Sequence, residues 1–179
     1  MSSLSPAQRS EALALARTAI VDLVLGHRTG PQTQSLDLPT AGVFVSLHVG
    51  DQLRGCIGTT APDILGPTVQ RMAVAAASRD PRFSPVVAAE LAHIDIEISV
   101  LTIPEPIDGV GDFTIGIHGL TIEREDRRGL LLPQVASERQ MTAEAFIDAV
   151  CAKAGLDRSV VGQPETVLAR FRAEVFGEA

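Results

Sequence analysis

The chain has no tryptophan and no tyrosine, and its only aromatics are six phenylalanines in 179 residues. Single-stranded nucleic acid is held largely by stacking on exposed rings, so that class of binder is disfavoured. Lysine is almost missing: of 15 basic residues, only Lys153 is not arginine. The chain therefore has one candidate for Schiff-base chemistry. Cysteine is limited to Cys56 and Cys151, which form neither a disulfide framework nor a CxxC pair. A reducing, cytoplasmic setting is the expectation. No apolar run approaches the ~18 residues that span a bilayer. The polar start Met1-Ser2-Ser3-Leu4-Ser5-Pro6 lacks a basic and apolar leader. No membrane partner is expected. Positive charge is also in deficit. The net charge of −7 argues against binding to DNA, RNA or anionic lipid.

What is present is an ordinary globular composition, 45% apolar and 21% charged. A chain of this size buries roughly 70% of its extended surface, enough for a core without staples. Leu53-Arg54-Gly55-Cys56-Ile57-Gly58-Thr59 organises the reading. It sets a cysteine between glycines on the return strand of a hairpin. Alternation puts Arg54, Cys56 and Gly58 on one strand face and Leu53, Gly55 and Ile57 on the other. A cation beside a thiol favours the thiolate, and strand glycines mark a close approach by backbone or ligand.

The rest of the chain parses around that hairpin. Ser5-Pro6-Ala7-Gln8 starts a helix over 6–27 with Leu13, Ala16, Ile20 and Leu23 as its apolar stripe. Residues 28–40 read as loop. Strands 41–49 and 52–58 flank a Gly50-Asp51 turn. A small-residue helix opening at Asp63 and Pro67 runs to Asp80-Pro81, and a short helix from Ser84-Pro85 reaches Leu91. His93 to Val100 alternates strictly, with His93, Asp95, Glu97 and Ser99 on the polar face. Residues 113–125 read as a strand, Asp126 to Gly129 as a turn and Leu130 to Leu132 as its return. Thr142 caps a helix over 143–154 that Gly155 ends, and Val167 to Phe176 is the last strand.

Element order repeats over 41–103 and 113–176 although residue identities do not. The expected fold class is therefore α+β: duplicated β2-α2-β units forming one curved, barrel-like mixed sheet with flanking helices. That makes residues 1–179 a single domain with two pseudo-repeats sharing one core.

Cys56 is the candidate nucleophile or redox thiol, set against the reading of a small buried hydrophobe. His118, between Gly116 and Gly119, is its candidate base. Glu97 is the candidate acid or anchor. Arg54 and Arg82 are candidate clamps for an anionic ligand, or structural arginines paired with carboxylates. Gly55, Ile57 and Gly58 are candidate ligand-binding positions of the hairpin, and Gln134 is a candidate amide for the same pocket, set against a loop-capping role. Cys151 reads as core. No phosphate loop, dinucleotide fingerprint or metal-ligand spacing is present, so neither a tightly bound cofactor nor a metal is expected.

Leu53-Arg54-Gly55-Cys56-Ile57-Gly58 resembles the signature hexapeptide of the AMMECR domain family. Asp80-Pro81-Arg82-Phe83 with Pro85, Glu97 to Thr102, Gly116 to Leu120, Leu131 to Val135 and Cys151 to Leu156 are similar to its further landmarks, in order. Where prokaryotic relatives often carry a tryptophan after Gln134-Val135-Ala136, this chain has Ser137 to Met141. The resemblance implies a duplicated β/α fold with a barrel-like sheet. It also implies an association with a Memo-type protein and a radical S-adenosylmethionine protein. The functional expectation is an enzyme or enzyme component acting on a small molecule or nucleotide-like ligand. The alternative is a non-catalytic adaptor for those two partners.

Overall fold

The computed structural model describes residues 4–27 and 36–178. Residues 28–35 of the expected loop lie outside them. The chain divides into two compact units, Met1–Leu101 with Glu174–Ala179, and Thr102–Ala173. The fold is α+β, and each unit has its own apolar cluster.

In the first unit, Ser5 caps α1 (Pro6–Leu25) by accepting the Gln8 N–H, while the Gln8 side chain accepts the Ser5 N–H. Gly26, in the left-handed region, ends the helix. Its buried face is Ala12, Leu15, Ala16 and Ile20. Of the expected stripe, Ala16 and Ile20 are buried and Leu13 packs on the core, while Leu23 is exposed. The inner face is set by alanines, which allow α1 to pack closely on α2 (Leu65–Ser78) through Ala73, Ala76 and Ala77. Before α2, the short strands β1 (Pro39–Thr40) and β4 (Asp63–Ile64) pair antiparallel.

The sheet of this unit runs β3 (Gln52–Thr59), β2 (Gly42–Val49), β5 (Asp95–Leu101). Its helix-facing side carries Val43, Val45, Leu47, Ile96, Ile98 and Val100, all buried. Removing one such aliphatic side chain costs about 2–5 kcal/mol. Gly55 lies on that side because a Cβ there would stand 2.5 Å from the carbonyl oxygen of Ala76 on α2. The chain end is held here too: Arg17 of α1 bonds the carbonyls of Leu91 and Ile94 and pairs with Glu178, which also accepts the Ile96 N–H.

In the second unit the sheet runs β8 (Arg127–Leu131), β7 (His118–Arg124), β9 (Val167–Gly177). The two-residue β6 (Glu105–Pro106) also pairs with β9, whose last residues belong to the first unit. Helices α3 (Pro133–Glu138) and α4 (Ala143–Lys153) cover it. Thr142 caps α4, and Gly155 follows with φ +66°. Cys151 is core, and burial pushes its thiol pKa up.

Several expectations needed correction. Every pairing within each unit is antiparallel, so the sheet of neither unit is mixed. A hairpin followed by a helical crossover brings each third strand back beside the first, running against it. The strand foreseen from Phe113 starts only at His118. Phe113 instead packs on Phe146, with ring centroids 6.2 Å apart, and Gly116 turns the chain at φ +80°. The turn between β7 and β8 is Glu125-Asp126, and Arg127 to Gly129 are strand. The segment after Pro85 forms only a single 3-10 turn, Ala88–Glu90, and His93 precedes its strand.

Candidate functional site

The register of the first unit builds a row across three strands. Cys56 on β3 faces Ser46 on β2, and Ser46 faces Glu97 on β5. Directly opposed residues share a sheet face, so thiol, hydroxyl and carboxylate lie side by side on the face turned away from α1 and α2. All three are half-buried. The Ser46 hydroxyl donates to Cys56 Sγ at 3.3 Å. None of the described residues hydrogen-bonds or ion-pairs with the Glu97 carboxylate.

The main chain of Cys56 turns the other way. β3 is an edge within its unit, and the Cys56 N–H donates to Asp80 Oδ2 at 2.8 Å. Asp80 also accepts from the Arg82 N–H and holds the Arg82 guanidinium at 3.0 and 2.7 Å. Arg82 Nη2 in turn reaches the Cys56 carbonyl at 3.4 Å. The Asp80–Arg82 pair thus supplies one acceptor and one donor to an edge peptide, as a further strand would. The Asp80 side chain is 2% exposed and that of Arg82 55%. Arg82 hydrogen bonding, followed by the Cys56 N–H, holds the Asp80 carboxyl far below the usual carboxylate range.

Arg54 occupies a bulge. Leu47 pairs with Gly55 and His48 with Leu53, leaving Arg54 as the extra residue. Its guanidinium makes a two-pronged contact with Glu90, at 2.7 and 3.1 Å, and donates to the Ser84 carbonyl. Arg54 foremost, and the Val87 N–H second, lowers the Glu90 pKa. Arg54 and Arg82 both lie against the Phe83 ring, 5.8 and 5.4 Å from its centroid. Both arginines are therefore paired with carboxylates, the second of the two readings given for them. They pin residues 80–90 along β3.

Of the remaining candidates, Gly55 and Ile57 face the helices, and Ile57 packs on the core. Gly58 shares the Cys56 face but lies under the Phe44 ring, where a Cβ would meet the ring at 2.2 Å. Gln134 is exposed at the start of α3 in the second unit. His118 is also in the second unit, on the helix-facing side of its sheet with Leu120 and Ile122. Both of its ring nitrogens face donors of that unit: the Thr114 N–H at 2.9 Å and Arg172 Nε at 3.3 Å. Burial, then the charges of Arg172 and Arg170, lowers its pKa.

A cavity of about 270 Å³ opens in the first unit beside the row, lined by His48, Asp95, Glu97 and Glu178 among others. His48 Nε2 is buried there without a hydrogen-bond partner. Among the described residues no three His, Cys, Asp or Glu side chains are grouped to hold a metal ion, and no helix is long and apolar enough to cross a membrane.

Sequence reasoning missed Ser46, Asp80 and Glu90. Ser46 faces Cys56 only because the Arg54 bulge shifts the register; counting from the Gly50-Asp51 turn alone puts Gly55 opposite it. Asp80 and Glu90 carry no local signal, because each acts on β3 from 24 or more positions away.

The AMMECR1 family model matches residues 13–176. The chain belongs to the AMMECR1 family. A protein of Methanothermobacter thermautotrophicus is 40% identical over 190 residues, covering 97% of each chain. One from Methanosarcina acetivorans is 40% identical, over 93% of this chain and 89% of its own. The crystal structure of the uncharacterized protein PH0010 from Pyrococcus horikoshii superposes with a TM-score of 0.73 at 36% identity. It covers 94% of this chain and 90% of that one. The AMMECR1 family therefore accounts for nearly the whole chain.

Proposed function

We propose that the protein is an enzyme, or a component of one, whose chemistry runs through Cys56 on a small molecule. The observation that carries this reading is the row Cys56–Ser46–Glu97 on a half-buried polar face. The Ser46 hydroxyl, donating to Cys56 Sγ, fixes the thiol's place in that row. Glu97 adds a carboxylate with no described partner, the group available for acid/base work on the same face. The adjoining cavity has room for a small ligand, and its carboxylates favour a polar or cationic group over a phosphate at that end. In this reading Asp80 and Arg82 orient the Cys56 peptide, and Arg54 holds the flanking segment. This reading does not require His118.

The test is alkylation by iodoacetamide at neutral pH. Wild type is expected to label at one site and Cys56→Ser at none, with buried Cys151 protected in both. Ser46→Ala is expected to slow the reaction. Equal labelling of wild type and Cys56→Ser removes the reading.

The exposure of Val49 and Leu53 at the tip of the β2–β3 hairpin favours a second reading. An adaptor would present such apolar tips to a partner, here the Memo-type or radical S-adenosylmethionine protein. Co-purification with either protein, lost in Val49→Asp and Leu53→Asp but kept in Cys56→Ser, would select the adaptor.

A further inference from the structure

His118 opens β7 directly opposite Arg172 on β9 and is 8% exposed. Its ring lies between two groups that can only donate: the Thr114 amide, 2.9 Å from Nδ1, and the Arg172 guanidinium, whose Nε is 3.3 Å from Nε2. A neutral imidazole has one lone pair and one N–H, so it cannot accept from both. The imidazolium accepts from neither, and it is disfavoured by burial and by the two nearby arginines.

The shorter contact takes the lone pair. It belongs to a turn that the Thr114 carbonyl closes by accepting from the N–H groups of Ile117 and His118. That assignment puts the proton on Nε2, where it faces the Arg172 Nε–H. Two donors then oppose each other across 3.3 Å, and an oxygen acceptor that relieves this contact enters as the exposed Arg172 side chain shifts outward.

The surrounding charge has the same sense. Arg170 and Arg172 act on the ring against a single acid, Glu105. The Glu105 carboxylate is already engaged by Arg170 through Nε and Nη2. Arg172 is exposed, and none of the described carboxylates pairs with it. Two N–H donors left without an acceptor in a positive field attract an oxygen anion.

We propose that His118 and Arg172 form a binding site for a small oxyanion, a phosphate or a carboxylate, on the second unit. The site is independent of the Cys56 reading and stands or falls without it. Arg172 provides the charge and the reachable edge, and His118 provides a second, fixed donor. Thr114 sets the tautomer that makes His118 a donor.

The test is nitrogen-15 imidazole spectroscopy of the full chain at neutral pH. Inorganic phosphate and acetate are titrated separately at constant ionic strength against chloride. The expected result is an Nε2–H tautomer for His118 and a saturable shift of its ring signals. The two arms distinguish a phosphate-type from a carboxylate-type site. Arg172→Met and His118→Asn should each weaken the response roughly tenfold or more. The asparagine carbonyl retains an acceptor for Thr114 while deleting the Nε2 donor. If His118→Asn does not fold, Arg172→Met decides alone. An Nδ1–H tautomer, no saturable shift with either anion, or wild-type affinity in Arg172→Met would overturn the proposal.

Discussion

The two units share one plan and differ in what they do with it. In each, a hairpin with a two-residue turn is followed by a helix and a third strand, and the strand order is second, first, third. In each, the return strand carries a glycine beneath a helix. A Cβ on Gly55 would stand 2.5 Å from the carbonyl oxygen of Ala76, and one on Gly129 would stand 2.5 Å from that of Val150. Register makes these glycines equivalent, since Gly55 faces Leu47 and Gly129 faces Ile122, each the third residue before its turn. One step further, the units part. The first has Cys56–Ser46–Glu97; the second has Leu130–Thr121–Ala169. The first also carries the Arg54 bulge, which the second lacks. The shared plan therefore belongs to packing, and the thiol row is an addition made in one copy only.

Breaking the shared feature should have the largest effect. Gly55→Ala and Gly129→Ala each push a Cβ into helix backbone that cannot rotate away, and each should cost about 3 kcal/mol in urea unfolding. If one is costly and the other neutral, the equivalence of the units fails.

Next comes Asp80→Asn, which touches only the first unit. The Asp80 pKa is depressed in the folded state, so its stabilisation is present above the unfolded value of about 3.9 and is lost as pH falls. The gap in unfolding free energy between wild type and variant should be widest at neutral pH and should narrow below about pH 4. A pH-independent gap would mean that the carboxylate charge does not matter to the Cys56 peptide.

A smaller effect sharpens the chemical contrast. Moving the thiol to the equivalent position, in the double variant Cys56→Ser with Leu130→Cys, should give a cysteine that alkylates more slowly than Cys56. Thr121 offers a hydroxyl there, but Ala169 offers no carboxylate. Equal rates, followed by mass spectrometry of the labelled peptide, would show that the row adds nothing to the thiol. The smallest effect is expected for Gln134→Ala. That side chain is exposed, so stability should change by less than about 0.5 kcal/mol and Cys56 labelling should not change.

Legibility followed the range of the interactions. The Ser5 cap, the Gly50-Asp51 turn, the Thr142 cap and the alternation of Ile94, Ile96 and Ile98 are local signals, and each was readable. The start of β7 was not. Phe113 and Ile115 continue an apolar pattern that the turn at Gly116 interrupts, and Phe113 goes to Phe146 instead. The α1 stripe was readable at Leu13, Ala16 and Ile20 but not at its end, where Leu23 is exposed. Cys56 and Glu97 were readable as polar-face residues, but the serine between them needed the register. The partner of Arg54 was invisible, because Glu90 lies 36 positions away and carries no mark of which guanidinium it will meet; Asp80 and Arg82 are near neighbours, but nothing local showed that they would meet the Cys56 main chain.

Periodicity, caps and turn residues determined the elements and their order. They did so because these depend on neighbours a few residues apart, where side-chain spacing and backbone preference act directly. Tertiary structure alone decided that Asp80 closes the open side of Cys56, that Ser46 joins the thiol to Glu97, and that His118 faces two donors at once. Each of those contacts depends on strand register and helix crossings, which are settled only when the apolar faces pack.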